Sequence, residues 1–281
     1  MKVAQRLAIG YIRTKFKLLA AVSKSKAARE AFELFCTPQF RNINKPDRIF
    51  ATAEQLEFRF RDYRIAGYRW NKGGDRKVLI VHGYESSASN FGTLVGSLIS
   101  KGYEVLAFDA PAHGRSSGKS INALVYRDLI KHIHMEFGPV KSYIAHSFGG
   151  LAVALALAET PHDESYRVAL IAPAAETKTA LDHFFHLIRL DDAAVRKEFE
   201  KIIVEISGHG TDWFSIDRTL QSIEARVLWI QDEDDNVTPV RDAWKVNKKN
   251  YSNIKFVFTS GLGHRRIYRD PEVGKTIVGF I

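Results

Sequence analysis

Residues 143–150 read Tyr-Ile-Ala-His-Ser-Phe-Gly-Gly, and an alanine-rich run follows them. The apolar residues before the serine are typical of a buried strand, and the run after it is typical of a helix. This pattern leaves Ser147 on a sharp strand-to-helix turn. Such a turn pinches the backbone, so the residues two before and two after the serine must be small, as Ala145 and Gly149 are. We therefore expect a strained turn at Ser147.

Short apolar runs recur on both sides of this turn, and stretches of helix length separate most of them. Strands that are buried on both faces of a sheet have this pattern. Their alternation with helices predicts an α/β fold with a doubly wound, mostly parallel sheet and right-handed crossovers. Two earlier segments, residues 57–61 and 65–70, alternate like half-buried antiparallel strands. The runs assigned to parallel strands are residues 78–81, 105–108, 143–145, 168–171, 227–230 and 256–258.

One interval, between Pro173 and Ala225, is about fifty residues long, far more than a single crossover needs. Helical patterns within it predict a small helical cap that is inserted into the sheet domain. The chain is therefore expected to have three parts. These are a basic helical N-terminal extension (residues 1–50), an α/β core (residues 51–173 and 225–281) and the helical cap insertion (residues 174–224).

The net charge of +9 is concentrated at one end of the chain. Residues 1–29 contain eight basic and no acidic side chains, so the rest of the sequence is nearly neutral. A nearly neutral body does not suit a general nucleic-acid surface, and we expect no nucleic-acid partner. The single cysteine, Cys36, excludes an internal disulfide and favours a reducing compartment, so a cytoplasmic location is expected. The apolar run that Arg13 interrupts is too short for a secretory signal.

Residues 1–35 are predicted to be helical, with apolar residues that recur at roughly one-face spacing. One interpretation is an amphipathic arm that lies on anionic lipid, giving peripheral membrane contact through residues 1–29. The other is a helix that packs on the body of the protein and keeps its lysines in water. Both stay open at this point. The recurring residues are Val3, Leu7, Tyr11, Leu18 and Val22.

Four further motifs follow predicted strands, each within one residue of the last apolar residue. Together with the Ala-x-Ser-x-Gly turn at Ser147, they resemble, in kind and in order, the motifs of the α/β-hydrolase superfamily, whose usual turn is Gly-x-Ser-x-Gly. The resemblance covers the chain from about residue 57 to its end, and it implies the α/β-hydrolase fold. The motifs are His-Gly-Tyr at 82–84, Asp-Ala-Pro-Ala-His-Gly-Arg-Ser-Ser-Gly at 109–118, Gln-Asp-Glu-Asp-Asp-Asn-Val-Thr-Pro at 231–239 and Ser-Gly-Leu-Gly-His-Arg at 260–265.

This resemblance implies a catalytic triad in the family's chain order of serine, acid and histidine. Ser147 corresponds to the nucleophile, and His264 corresponds to the general base that takes its proton. Counting back from the Val-Thr-Pro end of the acidic loop selects Asp235 as the acid. Asp234 is the alternative, because four acidic residues stand in a row.

The resemblance also implies an oxyanion hole formed by the backbone N–H groups of Tyr84 and Phe148. His82 is interpreted as a structural hydrogen-bonding residue, and the loop at 109–118 as a brace for the top of the sheet.

Other patterns are weaker, and we expect neither a cofactor nor a metal site. Residues 114–120 imitate a phosphate-binding loop, but three residues separate its glycines where four are needed. His132 and His134 are two residues apart and point to different faces of a helix. His183 and His186 could share a face, but the neighbouring sequence offers no carboxylate in register with them.

A Ser-His-Asp site supports hydrolysis of an ester, thioester or amide through an acyl-enzyme. Our hypothesis is a carboxylesterase or thioesterase that cleaves a small-molecule ester or thioester of a small to medium apolar acyl group. The apolar side chains of the insertion either line an acyl pocket or dock the insertion. An acyltransferase with the same triad and a hydrolase-fold binding protein without turnover remain as alternatives.

Overall fold

An eight-stranded sheet organises most of the chain in the computed structural model, which describes residues 3–41 and 47–281, with side chains from residue 9 onward. The strands lie in the order β1-β2-β4-β3-β5-β6-β7-β8. β1 pairs with β2 and β2 with β4 in antiparallel fashion, and every other pairing is parallel. The predicted doubly wound, mostly parallel sheet is therefore confirmed. The strands are β1 Glu54–Phe60, β2 Tyr63–Trp70, β3 Arg76–Val81, β4 Tyr103–Phe108, β5 Ser142–His146, β6 Arg167–Ile171, β7 Arg226–Asp232 and β8 Ile254–Thr259.

The winding of the sheet reverses between β3 and β5. From β3 the chain crosses to β4 on one side, and it then crosses back past β3 to β5 on the other side. Ligands of open α/β sheets bind outside the carboxyl ends of the strands at such a switch point. The turn that carries Ser147 follows β5, and the loop that carries Gly83 follows β3. The topology therefore brings these two segments together.

The chain forms two compact units by internal contact, and the sheet belongs to the larger one. This unit comprises Pro38–Ala175 and Ile216–Ile281, and the smaller unit comprises Met1–Thr37 and Glu176–Ser215. The sheet unit contains helices α3 Gly92–Ile99, α4 Ala123–Phe137, α5 Phe148–Leu157, α8 Ile216–Leu220, α9 Val240–Asn247, α10 Gly263–Arg266 and α11 Pro271–Phe280. The smaller unit contains helices α1 Val3–Val22, α2 Lys24–Cys36, α6 Thr177–Ile188 and α7 Ala193–Ser207.

The core of the sheet unit is built around the strands next to the switch point. Every residue of β4 and β5 is buried, as is typical of central strands with helices on both faces. Helix α5 is also buried almost all round, which explains its composition of small and aliphatic residues.

The smaller unit contains helices from the N-terminal extension and from the inserted segment, which were predicted as separate parts. Ala27, Ala28 and Ala31 of α2 are fully buried, so a second helix can approach its backbone closely. Aromatic rings fill the rest of that contact: the Phe32 and Phe199 ring centroids are 5.5 Å apart, and an edge-on pair joins Phe35 to α6. The N-terminal helices and the inserted helices therefore share one core. The domain boundaries predicted from the sequence remain a prediction.

Two further sequence expectations concern the N-terminal part. Residues 42–46, within the predicted extension, lie outside the described residues, as do the side chains of Val3 and Leu7. Among the described residues, no helix is long and apolar enough to cross a membrane.

Candidate active site

Ser147 lies on the turn between β5 and α5 in a conformation that few residues adopt. Its φ is +53° and its ψ is −122°, and only 7% of the residue is exposed. A non-glycine residue in such a sparsely populated region costs about 1–3 kcal/mol, so its surroundings must hold it there. The backbone N–H of Ser147 donates to Ile171 (3.1 Å), and its carbonyl accepts from Gly150 (2.9 Å) and Ala174 (3.0 Å).

The small residues around Ser147 are required by close backbone contacts. A Cβ atom at Gly149 would lie 2.5 Å from the carbonyl oxygen of His82, and one at Gly150 would lie 2.7 Å from Cβ of Pro173. A Cβ atom at Gly83 would lie 2.9 Å from Cβ of Ser147. The loop after β3 therefore passes directly against the serine, and only glycine allows this approach.

The three predicted catalytic side chains form one hydrogen-bonded chain. Nε2 of His264 is 2.9 Å from Oγ of Ser147, and Nδ1 of His264 is 2.8 Å from Oδ2 of Asp235. A single tautomer satisfies both contacts: Nδ1–H donates to the carboxylate, and Nε2 accepts from the serine hydroxyl. This is the arrangement by which a histidine can take the proton of a serine.

The carboxylate of Asp235 is held by donors on both oxygens. Oδ1 accepts from the backbone N–H groups of Val237 (2.8 Å) and Thr238 (2.9 Å). Oδ2 accepts from His264 and from the Thr238 hydroxyl (2.8 Å). Burial by itself would raise the pKa of Asp235, but the hydrogen bonds, led by the one from His264, hold the pKa below its usual value. Asp235 is therefore ionised at neutral pH and can stabilise a charged His264.

The neighbouring aspartates contact the loop before His264 and not its ring. Asp232 accepts hydrogen bonds from the backbone N–H groups of Leu262 (3.1 Å) and Gly263 (2.8 Å). Asp234 accepts one from the backbone N–H of Gly261 (2.7 Å). Of the two candidates for the acid, the structure therefore places Asp235 against His264.

His146 is a part of this site that the sequence analysis did not single out. Its Nε2 lies 2.9 Å from the carbonyl oxygen of His264, and its ring centroid lies 4.7 Å from the His264 ring and 4.5 Å from the Tyr268 ring. Burial first, and the charge of His264 second, lower the pKa of His146 to about 3. A histidine directly before the serine of the turn was the signal in the sequence.

Tyr84 and Phe148, the predicted oxyanion donors, each adjoin a residue at the turn: Phe148 follows Ser147, and Tyr84 follows Gly83. Phe148 is the first residue of α5, so its N–H is one of the donors that a helix leaves without an intrahelical acceptor. Tyr84 follows Gly83, the residue in contact with the serine, and its ring centroid is 6.0 Å from that of Phe148. Both rings are half-buried.

The loops behind the site are braced by buried polar side chains. Nδ1–H of His82 donates to the carbonyl of Gly83 (2.7 Å), and its Nε2 accepts from the N–H of Ala110 (3.0 Å). Asp109 accepts from the N–H groups of Ala88 and Arg115, each at 2.9 Å. Because both nitrogens of His82 bind backbone and burial lowers its pKa to about 4, this residue acts in the structure as a neutral brace.

The other histidines singled out from the sequence lie in separate surroundings. The His132 ring centroid lies 5.2 Å from that of Phe58, with the rings tilted, and His134 contacts the Tyr143 hydroxyl at 2.8 Å. His183 and His186 are exposed on α6. Within residues 3–41 and 47–281, no three His, Cys, Asp or Glu side chains gather as ligands for a metal ion.

Comparison with known proteins identifies a family model that matches part of the chain. The family model described as serine aminopeptidase, S33, matches residues 74–212. A search of curated proteins finds no match.

Solved structures of hydrolases share the fold at low sequence identity. An esterase of Pyrococcus furiosus is 21% identical over 87% of this chain and 96% of its own, with a TM-score of 0.64. A thioesterase domain from the curacin biosynthetic pathway is 19% identical over 80% of this chain and 99% of its own (TM-score 0.60). A bacterial membrane phospholipase A is 16% identical over 99% of this chain and 96% of its own (TM-score 0.62). These likenesses show the fold.

Proposed function

Because this chain belongs to the α/β-hydrolase superfamily, we propose that it is a serine hydrolase that cleaves an ester or thioester of a small to medium apolar acyl group. The observation that carries the proposal is the continuous contact from Ser147 through His264 to Asp235, at 2.9 Å and 2.8 Å. Ser147, His264 and Asp235 are proposed as nucleophile, general base and orienting acid.

In the first half of the proposed reaction, Oγ of Ser147 attacks the acyl carbon and its proton passes to Nε2 of His264. Asp235 stabilises the imidazolium, and the backbone N–H groups of Tyr84 and Phe148 stabilise the oxyanion. The tetrahedral intermediate then collapses, and His264 gives the proton to the leaving alkoxide or thiolate. The acyl group is left on Ser147.

In the second half, water attacks the acyl-enzyme while its proton passes to Nε2 of His264. Oγ of Ser147 takes this proton back when the ester bond breaks, and the free acid leaves. The same residues would serve an acyltransferase if an alcohol or amine replaced water, so product analysis with an added acceptor distinguishes the two.

The preference for an apolar acyl group is supported by the half-buried rings of Tyr84 and Phe148 beside the serine. The inserted segment gives less support than its composition suggests. Its rings pack inside the smaller unit: the Phe184 and Phe199 centroids lie 5.2 Å and 5.9 Å from that of Phe35 on α2. This contact favours a docking role for those side chains.

The first test is labelling with a fluorophosphonate, which reacts with an activated serine. We expect the wild type to be labelled at Ser147, and the Ser147→Ala and His264→Ala variants to remain unlabelled. Ser97→Ala, at an exposed serine of α3, is the matched control and should label like the wild type. A folded wild type that takes up no label would contradict the proposal and favour the binding-protein alternative.

The second test is a substrate series of p-nitrophenyl esters and acyl-CoA thioesters of increasing chain length. A diacyl phospholipid and an aminoacyl p-nitroanilide belong in the series, because one structural neighbour is a phospholipase A and the family model is named for an aminopeptidase. We expect turnover of short and medium acyl chains. Labelling at Ser147 together with turnover of the anilide alone would show that the substrate class is wrong.

We also propose a cytoplasmic location. It is supported by the use of a single cysteine, Cys36, which is buried. Fractionation of cells that express the full chain would test it.

A further inference from the structure

Helix α1 exposes a line of large apolar side chains that the smaller unit leaves in water. Tyr11, Leu18 and Val22 are 71%, 64% and 85% exposed. Their spacing of seven and four residues places them on one face of a helix. The opposite face is the one that packs: Phe16 and Ala20 are 2% and 6% exposed. The described part of the apolar line, Tyr11, Leu18 and Val22, is therefore directed outward.

The rotation of α1 is set by polar contacts within its own unit. The guanidinium of Arg13 donates two hydrogen bonds, at 3.1 Å and 2.9 Å, to the carbonyl of Leu187 on α6. Lys15 forms an ion pair with Glu30 on α2 at 2.6 Å, and Lys24 forms one with Asp192 at 2.5 Å. Arg13 and Phe16 lie three residues apart on the packed side of the helix, so the exposure of Tyr11, Leu18 and Val22 follows from its packing. Lys15 lies on the same side of the helix as Tyr11 and Leu18.

The charge around this face is net positive, although Glu30 and Asp192 pair with Lys15 and Lys24. Lys17, Lys26 and Arg29 are also exposed beside or just after the apolar line, and residues 1–29 contain no acidic side chain. A second copy of the same face would bring like charges together, which disfavours self-association through it. A surface that is apolar along its centre and negatively charged above it complements this face.

We propose that the face of α1 formed by Tyr11, Leu18 and Val22 docks on an anionic lipid bilayer. The helix lies in the plane of the interface, with its apolar side chains below the headgroups and its lysines at the level of the phosphates. Tyrosine suits this position because its ring is apolar and its hydroxyl is polar. The inference goes beyond the proposed hydrolase function and does not depend on it.

The test is co-sedimentation of the full chain with vesicles of phosphatidylcholine alone and with about 30% phosphatidylserine. We expect the wild type to pellet with the anionic vesicles, to remain in solution with the neutral ones, and to be released by about 0.5 M salt. The Leu18→Glu, Val22→Glu double variant should lose about tenfold in apparent affinity, because two buried apolar contacts become repelled charges.

The matched control places the same charges elsewhere on the same unit. Val204 and Ile206 of α7 are 46% and 51% exposed, so a Val204→Glu, Ile206→Glu double variant should bind like the wild type. Point variants are preferable to deletion of the N-terminal helices, because Phe32 and Phe35 of α2 pack against Phe199 and removing them would expose that core. Equal urea unfolding midpoints would show that both double variants are folded.

Two results would overturn the inference. One is equal pelleting of the wild type and the Leu18→Glu, Val22→Glu variant. The other is an absence of vesicle binding together with a dimer that this variant alone loses in sedimentation velocity, which would assign the face to a second copy of the chain. Repeating the assay with the Ser147→Ala protein keeps the result independent of the proposed function, since binding requires no turnover.

Discussion

His146 connects the turn that carries Ser147 to the loop that carries the proposed base. Because its pKa is lowered to about 3, it is neutral at pH 7 and donates Nε2–H to the carbonyl of His264, 2.9 Å away. Its Nδ1 finds no hydrogen-bond partner in the part of the chain that the structure describes. A buried polar atom without a partner destabilises the folded state. A buried histidine at this position is therefore expected to have a role that depends on the hydrogen bond of its other nitrogen. We infer that His146 is a positioning residue for His264.

This role predicts a specific pattern of kinetics. His146→Ala should lower kcat about tenfold while KM stays nearly unchanged, since the variant misplaces the base without touching substrate. His146→Gln should recover part of the loss, because its amide N–H can reach the same carbonyl. Steady-state kinetics on the best ester of the substrate series would measure both.

The control for this prediction is His134→Ala, which removes a structural histidine that contacts Tyr143 away from the serine. It should lower the urea midpoint and leave kcat close to the wild-type value. Identical kcat values for the alanine and glutamine variants of His146 would show that the contact with His264 has no positioning role.

At the scale of elements, the strand β5, the turn and the helix α5 act as one rigid support for Ser147. The turn stores strain, and the close approach of α5 to the loop after β3 keeps it from relaxing. The approach depends on the absence of a side chain at Gly149, where a Cβ atom would meet backbone and not a flexible side chain.

Two glycine-to-alanine substitutions in helices should therefore have opposite effects. Gly149→Ala pushes α5 away from the carbonyl of His82 and should lower the free energy of unfolding by about 1–3 kcal/mol and reduce labelling of the serine. Gly274→Ala, in α11, meets no atom within 4 Å and should raise the free energy of unfolding by about 0.5–1 kcal/mol. Urea unfolding of both variants measures the signs. Equal stabilisation by the two substitutions would show that the contact at Gly149 is not tight.

For the whole molecule, stability depends on keeping three histidines neutral. Burial lowers the pKa of His82 to about 4 and, with smaller contributions from a nearby histidine, those of His113 and His146 to about 3. In the unfolded chain they would titrate near their ordinary value of about 6.5. Between the folded and unfolded pKa values, the unfolded state binds more protons than the folded state. The contribution of these histidines to the free energy of unfolding is therefore complete above about pH 6.5 and is lost as the pH falls towards 3–4.

We therefore expect the urea midpoint to be constant from pH 8 to 7 and to fall steeply from about pH 6.5 to 4.5. His113→Gln, which cannot take up a proton, should reduce this slope even if it lowers stability at pH 7. His183→Asn, at an exposed histidine, is the control and should keep the wild-type slope. A wild-type midpoint that does not change between pH 7 and 5 would contradict the prediction.

The α/β class, the six parallel strands and the strand–turn–helix around Ser147 were predictable because their signals are local. Burial on both faces gives a continuous apolar run, and a pinched turn admits only small residues, as at Ala145 and Gly149. The order of the motifs along the chain likewise selected Ser147 and His264 as candidates, and the structure brings them within 2.9 Å of each other. None of these predictions depends on contacts between residues that are distant in the sequence.

The features that depend on contacts between residues far apart in the sequence were decided by the tertiary structure. The spacing to the Val-Thr-Pro end of the loop selected Asp235 and left Asp234 as the alternative. The fold of the loop, in which the N–H groups of Val237 and Thr238 hold the carboxylate, places Asp235 against a histidine 29 positions away. The outward face of α1 follows from contacts with α6, 174 positions along the chain. A sequence shows that such a helix has an apolar line, but the tertiary structure decides which side of the helix packs. Here Phe16 is buried, and Tyr11, Leu18 and Val22 are exposed.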